Sequence, residues 1–205
     1  NSSPPNSLKD NPAMVIETNG IIENREENPP TPSEHAIIAG AREIRDLILK
    51  NNYKTMFAGI GISGLAGWCA YYLLKEQDYH IDLIAGGIGY QPCPGDPLLI
   101  SPANMATAKM ISDSFDVHGV SAGGINSGCI GVLGAGQLDK EGNINSTVIR
   151  NTSKGDIYLS GAGGGNDIAS VTREVVIVAV QRANRLVEKV SYIACPGTRV
   201  GTLVT

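Results

Sequence analysis

Residues 54–77 read KTMFAGIGISGLAGWCAYYLLKEQ. A short apolar run at 55–58 meets a glycine turn at 59–61, and a helical pattern follows over 63–76. The run is bounded by glycine and too short for a helix, which predicts a buried strand. The helix after it is apolar around much of its circumference, so it is buried on more than one side. Strand, glycine turn and buried helix form the repeating unit of an α/β sheet. Working outward, HIDLIAGG (80–87), CIGVLGAGQLD (129–139), GDIYLSGAGGG (155–165), REVVIVAV (173–180) and VEKVSYIAC (187–195) read as further strands. PLLISPANMATAKMISDSF reads as a short strand or loop and then a helix from about 103 to 115, by its spacing of apolar residues. Near-continuous apolar strands mixed with helices predict an α/β fold with a buried, mostly parallel sheet flanked by helices.

Upstream, TPSEHAIIAGAREIRDLILKNN (31–52) places Thr31 as an N-cap, Pro32 at the first helical position and Glu34 three residues after the cap. That is a capping box. Ile37, Ile38, Ala41, Ile44, Leu47 and Ile48 recur at helical spacing, so an amphipathic helix runs to Asn51–Asn52. Residues 1–30 are rich in Asn, Pro, Ser and Glu and are expected to form a disordered tail, with Met14 as a candidate native start. The expected domain is 31–205. The chain stops at GTRVGTLVT, inside what reads as a strand, and is expected to be C-terminally truncated.

The 205 residues are 42% hydrophobic and 18% charged, a globular composition with room for a sizeable core. A net charge of −4 argues against nonspecific nucleic-acid binding, which depends on basic surface. No apolar run reaches the ~20 residues that cross a bilayer, and the start lacks the pattern of a secretory signal. Cys69, Cys93, Cys129 and Cys195 form no C-x-x-C pair, and His35, His80 and His118 are scattered, so no metal site is expected. Four thiols without a tight framework suit a reducing cytoplasm.

Glycines gather where the strands end: Gly59 and Gly61, Gly86 and Gly87, Gly134 and Gly136, and Gly161 to Gly165. Ligands of open α/β sheets bind beyond the carboxyl ends of the strands, so these ends mark one expected rim. GIGISG (59–64) matches the dinucleotide pattern G-x-G-x-x-G, which also needs an acid closing the second strand. Asp82 opens that strand instead of closing it, so an NAD(P)-dependent reductase is a minor alternative. Close helix–strand packing or a pantetheine contact explains the same glycines. LSGAGGGNDIAS (159–170) lacks the G-K-[ST] of a Walker loop. Its consecutive N–H groups suit an anion or a developing oxyanion. In KEGN (140–143), Gly142 supports a hairpin turn with positive φ.

These stretches carry a resemblance. GAGQLDKEGNINSTVI (134–149) resembles the G-A-x-Q-[IV]-D-x-x-G-N-[IL]-N-[ST]-T stretch of the β-type subunits of the family I CoA-transferases, of which glutaconate CoA-transferase is a type member. LSGAGGGNDIAS is similar to the family's G-x-G-G-[AG]-x-D-[IL]-A, and VEKVSYIACPG (187–197) to its F-V-x-K-V-D-F-x-T-S-P-G. The similarity runs in order from about residue 34 to 197. It implies an acyl-CoA thioester as substrate, no bound cofactor, and an α-type partner subunit in a heteromer. It also implies an acyl-CoA site drawing on Gly59, Gly61, Gly86, Gly87, Gly163, Gly164, Gly165, Asn166, Gln137 and Asn145.

The chain departs from the family at one decisive place. Family members end the strand after the first helix with a glutamate that attacks the thioester and carries CoA covalently. Aligning I-G-x-x-P in DLIAGGIGYQP (82–92) puts that position at Ile84, and residues 83–89 hold no carboxylate. An alkyl side chain cannot be the nucleophile of ping-pong transfer. Lyase, decarboxylase or hydrolase chemistry is therefore expected. The alternatives are transfer with a nucleophile from elsewhere and a non-catalytic partner chain. Cys93, nine positions beyond Ile84, is the candidate thiol nucleophile.

Overall fold

A computed structural model describes residues 29–85, 88–90, 103–106, 108–121 and 128–197. The expectations for residues 1–28, Gly86, Gly87, Cys93 and 198–205 lie outside the described residues.

The first helix, α1 (Pro32–Asn51), starts as its sequence predicts. The Glu34 N–H donates to Thr31 Oγ1 at 3.3 Å, and the Thr31 N–H donates to Glu34 Oε2 at 2.7 Å. It ends at Asn52 in the left-handed region, φ 55°, a conformation asparagine tolerates. Ala41, Ile44 and Ile48 lie on its buried stripe. The chain then forms β1 (Thr55–Ala58), α2 (Ile62–Lys75) and β2 (Asp82–Ala85). Strand alternation divides the core. Met56, Ala58, Leu83 and Ala85 face α1 and α2, while Phe57 and Ile84 face the opposite side.

β3 (Ile88–Tyr90), the single turn α3 (Ala103–Ala106) and β4 (Ala108–Ile111) come next. The helix expected over 103–115 is corrected here. Residues 108–111 pair antiparallel with β3, so strand pairing overrides helical spacing. Asp113 accepts the Asp116 N–H at 2.9 Å and starts a separate short turn, α4 (Ser114–Asp116), which runs into a π-helical turn over Val117–Ser121.

β5 (Cys129–Leu133) completes the central part of the sheet together with β10 (Glu174–Ile177), after β6 (Gln137–Asp139), β7 (Ile144–Asn145), β8 (Val148–Thr152), β9 (Gly155–Tyr158) and α5 (Gly165–Val171). The last element is β11 (Leu186–Val187). The six-stranded sheet has the order β10-β5-β1-β2-β3-β4, parallel from β10 to β2 and antiparallel at β3 and β4. The α/β class and the mostly parallel sheet are as expected.

CIGVLGAGQLD is not one strand. It breaks at Gly134–Gly136, and β6 joins a second, three-stranded sheet with β7 and β11. VEKVSYIAC forms only the two residues of β11 and an isolated bridge between Cys195 and Ile144. Buried side chains replace the missing ladder: the Val190 N–H donates to Asp139 Oδ2 at 3.2 Å and the Ser191 N–H to Gln137 Oε1 at 3.4 Å.

Asp139 anchors this region. Its carboxylate accepts from the N–H groups of Glu141, Asn143 and Val190 and from Asn143 Nδ2. Burial alone would push its pKa up, but the Asn143 side chain and the three backbone donors outweigh burial and hold it below the usual value. A depressed folded-state pKa contributes stability above the unfolded value of about 3.9 and loses it as pH falls through the lower folded value. Asp139→Asn is expected to cost about 1–3 kcal/mol at neutral pH, because one acceptor becomes a donor facing donors. Thermal melts from pH 7 to pH 2 should show the gap to wild type closing below about pH 4.

Candidate functional site

A cleft of about 750 Å³ opens at the carboxyl ends of β1, β5 and β10. Its floor is Ala58, Gly59 and Ile60 after β1, and Leu133 to Gly136 after β5. Val178 and Val180 follow β10 along one side. The loop Ser160–Gly165, between β9 and α5, forms the opposite wall. This is the rim where open α/β sheets bind ligands, and the glycine-rich strand ends lie on it.

The dinucleotide-like glycines divide by task. Gly61 has φ +71°, which L side chains avoid, and it turns the chain into α2. A Cβ on Gly64 would lie 2.7 Å from the Gly59 carbonyl oxygen, so this glycine serves close packing of helix on turn. Asp82 sits at the amino end of β2, away from the rim, and pairs with Lys109 at 2.9 Å. The acid that a dinucleotide ribose requires is therefore missing from the rim among the described residues.

In the glycine loop, Gly161 and Gly163 have positive φ, +88° and +49°, while Gly164 does not, at −81°. The Gly165 N–H is already used, donating to the Ala162 carbonyl at 2.8 Å. Those of Gly163 and Gly164 meet no acceptor among the described residues. Ligand-facing donors thus narrow to Gly163 and Gly164. A Cβ on Gly164 would fall onto the imidazole of His118.

His118 was not distinguishable in the sequence from the other scattered histidines. Its ring lies 5.0 Å from that of Phe57, at 32°, on the cleft wall. It also borders an outer recess of about 490 Å³ with Phe115, Asp167, Gly163 and Gly164. Nothing local in SFDVHG announces this position, which depends on the π-helical turn meeting the glycine loop.

Of the expected acyl-CoA-binding residues, Gly59, Gly163, Gly164 and Gly165 line the cleft. Gly61 shapes the turn behind it, and Asn166 is exposed on α5, off the cleft wall. Gln137 and Asn145 lie elsewhere, off the cleft wall. Asn145 is fully buried; its Nδ2 donates to Gln137 Oε1 at 2.9 Å and to the Val148 carbonyl at 2.8 Å, and its Oδ1 accepts from the N–H groups of Thr147 and Val148. The pair closes the bend between β7 and β8, and neither residue lines the cleft. The polar motif GQLDKEGNINST is chiefly a hydrogen-bonded scaffold beneath the site.

Ile84 is buried in the cluster with Phe57, Val117 and Leu133. The cysteine on the cleft wall is Cys195, whose Sγ would lie 3.6 Å from a Cβ on Gly165. Burial, with the charge of Asp167 adding to it, pushes that thiol up. A thiol held protonated is a poor nucleophile. Among the described residues no group of three His, Cys, Asp or Glu side chains gathers as a metal site needs, and no helix is long and apolar enough to cross a membrane.

No family model matches the chain. It is 32% identical over 168 residues to a 3-oxoadipate CoA-transferase subunit of Pseudomonas knackmussii, covering 80% of this chain and spanning 60% of that relative's length. Among solved structures, glutaconate CoA-transferase of Acidaminococcus fermentans matches with a TM-score of 0.65 at 22% identity, over 82% of this chain and 63% of that one. The decarboxylase AibA/AibB matches at 0.58 and 19% identity, over 82% and 67%. IpdAB of Rhodococcus jostii RHA1 matches at 0.55 and 17% identity, over 83% and 62%. These structures agree on the fold, and the sequence relative agrees with the resemblance: the chain has a CoA-transferase-like fold and is similar to β-type subunits of the family I CoA-transferases, spanning about 60% of the relative's length.

Proposed function

We propose that this chain is one subunit of a heteromeric acyl-CoA enzyme that does not transfer CoA through a carboxylate of its own. The observation that carries the reading is Ile84. By the resemblance it stands where the family has its glutamate, and it is buried among alkyl and aromatic side chains, where a bare carboxylate would cost several kcal/mol. The cleft wall adds support, since among the described residues it contains no Asp or Glu. Gly163 and Gly164 would direct their N–H groups at the thioester oxygen or the pantetheine amides. Cleavage or decarboxylation of the bound acyl group, or hydrolysis of its thioester, fits a cleft with hydrogen-bond donors and, among the described residues, no carboxylate nucleophile. The decarboxylase AibA/AibB has this fold, so the scaffold supports such chemistry in a relative. An α-type CoA-transferase-like subunit is the proposed partner, a cytoplasmic location is proposed with it, and no bound cofactor is invoked.

Trapping tests this. The chain, with its co-purified partner, is incubated with an acyl-CoA and treated with borohydride or hydroxylamine, then mapped by mass spectrometry. No adduct is expected on residues 83–89, and free acid or carbon dioxide should form without a CoA acceptor. Ping-pong exchange through a CoA thioester on a carboxylate of this chain would overturn the proposal.

A further inference from the structure

We propose that Arg182 and Arg185 form a clamp for an anionic group of the ligand, a carboxylate on the acyl chain or a phosphate of CoA. The inference rests on the acyl-CoA reading of the cleft and adds to it the charge of what is bound. Both arginines line the cleft. They stand at the first and fourth positions of a turn closed by the Arg185 N–H donating to the Arg182 carbonyl at 2.9 Å. Such a turn holds its end residues within about 7 Å at Cα. The Arg185 carbonyl accepts the Leu138 N–H at 2.7 Å, which ties the turn to the second sheet and fixes where the two side chains start.

Two arginines that start this close at Cα can bring both guanidinium groups to one anion, which would offset their mutual repulsion. Arg45 pairs with Asp46, Lys109 with Asp82, and Arg150 with Asp156, all away from the cleft wall. Neither Arg182 nor Arg185 has a carboxylate partner among the described residues, in a chain of net charge −4 with acidic groups to spare. They are the only Lys or Arg on the cleft wall among the described residues, and no Asp or Glu there opposes them. The planar donor fork of arginine suits carboxylate and phosphate oxygens in a bidentate contact.

The test is calorimetric titration of the full chain and its co-purified partner with glutaryl-CoA, butyryl-CoA and their pantetheine thioesters, using wild type and the Arg182→Gln/Arg185→Gln double variant. The double variant is expected to weaken anion-bearing ligands by about 10-fold or more, the worth of a lost charge-assisted hydrogen bond. A loss confined to the glutaryl esters identifies the acyl carboxylate as the bound group. A loss shared by both CoA esters and absent from the pantetheine esters identifies a CoA phosphate. If every ester binds the variant as it binds wild type, the clamp is wrong while the acyl-CoA reading stands. If wild type binds none of the thioesters, the acyl-CoA reading fails and the clamp with it. Should the double variant not fold, Arg182→Gln alone, at an exposed position, carries the same comparison.

Discussion

Gly164→Val is expected to weaken acyl-CoA binding about 100-fold, roughly 2.7 kcal/mol, by filling the cleft beside the two N–H donors, while the melting temperature moves by only about 3 °C. The two readouts separate because the backbone at 164, with φ −81° and ψ 8°, is open to any L residue. The added side chain meets His118 instead, and the imidazole must leave the wall it shares with Phe57 and the glycine loop. The backbone N–H groups remain, but access to them and the cleft's shape change. Gly163→Ala is the contrasting variant: at φ +49° it strains the backbone, costs about 1 kcal/mol and should appear mainly in stability. Placing Gly164→Ala in a His118→Ala background should relieve the collision. Normal binding by Gly164→Val would reduce LSGAGGGNDIAS to a structural turn. Equal destabilisation of the single and double variants would show that His118 is not what the side chain meets.

Asn145→Ala should show the opposite pattern. It strands the N–H groups of Thr147 and Val148 in a buried bend and leaves the Val148 carbonyl with Ser191 Oγ alone, at 3.1 Å. Orphaned buried groups cost about 1–3 kcal/mol each, and partial relaxation brings the expected total to about 3–4 kcal/mol. For a chain this long that is a fall of about 10 °C in melting temperature. Acyl-CoA affinity of the folded protein should remain at wild-type level, since Asn145 does not line the cleft. A stable variant with weakened binding would return Asn145 to the ligand site and undo the scaffold assignment.

What the sequence determined alone is what short-range physics determines. The capping box at Thr31 and Glu34, the stripe of Ala41, Ile44 and Ile48, and the strand–glycine–helix unit from Thr55 to Lys75 are local patterns, and each element forms where its residues predict. The rim was legible for the same reason, because glycines follow β1 and β5 and precede α5 directly in the chain. The absence of a carboxylate at residue 84 was equally plain. Tertiary structure decided the rest. Residues 108–111 became a strand because β3 offered hydrogen bonds that helical spacing could not reveal. Residues 188–194 form no regular strand ladder, and the N–H groups of Val190 and Ser191 go to the side chains of Asp139 and Gln137, about 50 positions away. His118, Arg182, Arg185 and Cys195 reach one cleft from segments with no shared motif or period. Contacts between distant segments leave no local pattern, so only the folded chain could bring those four side chains together.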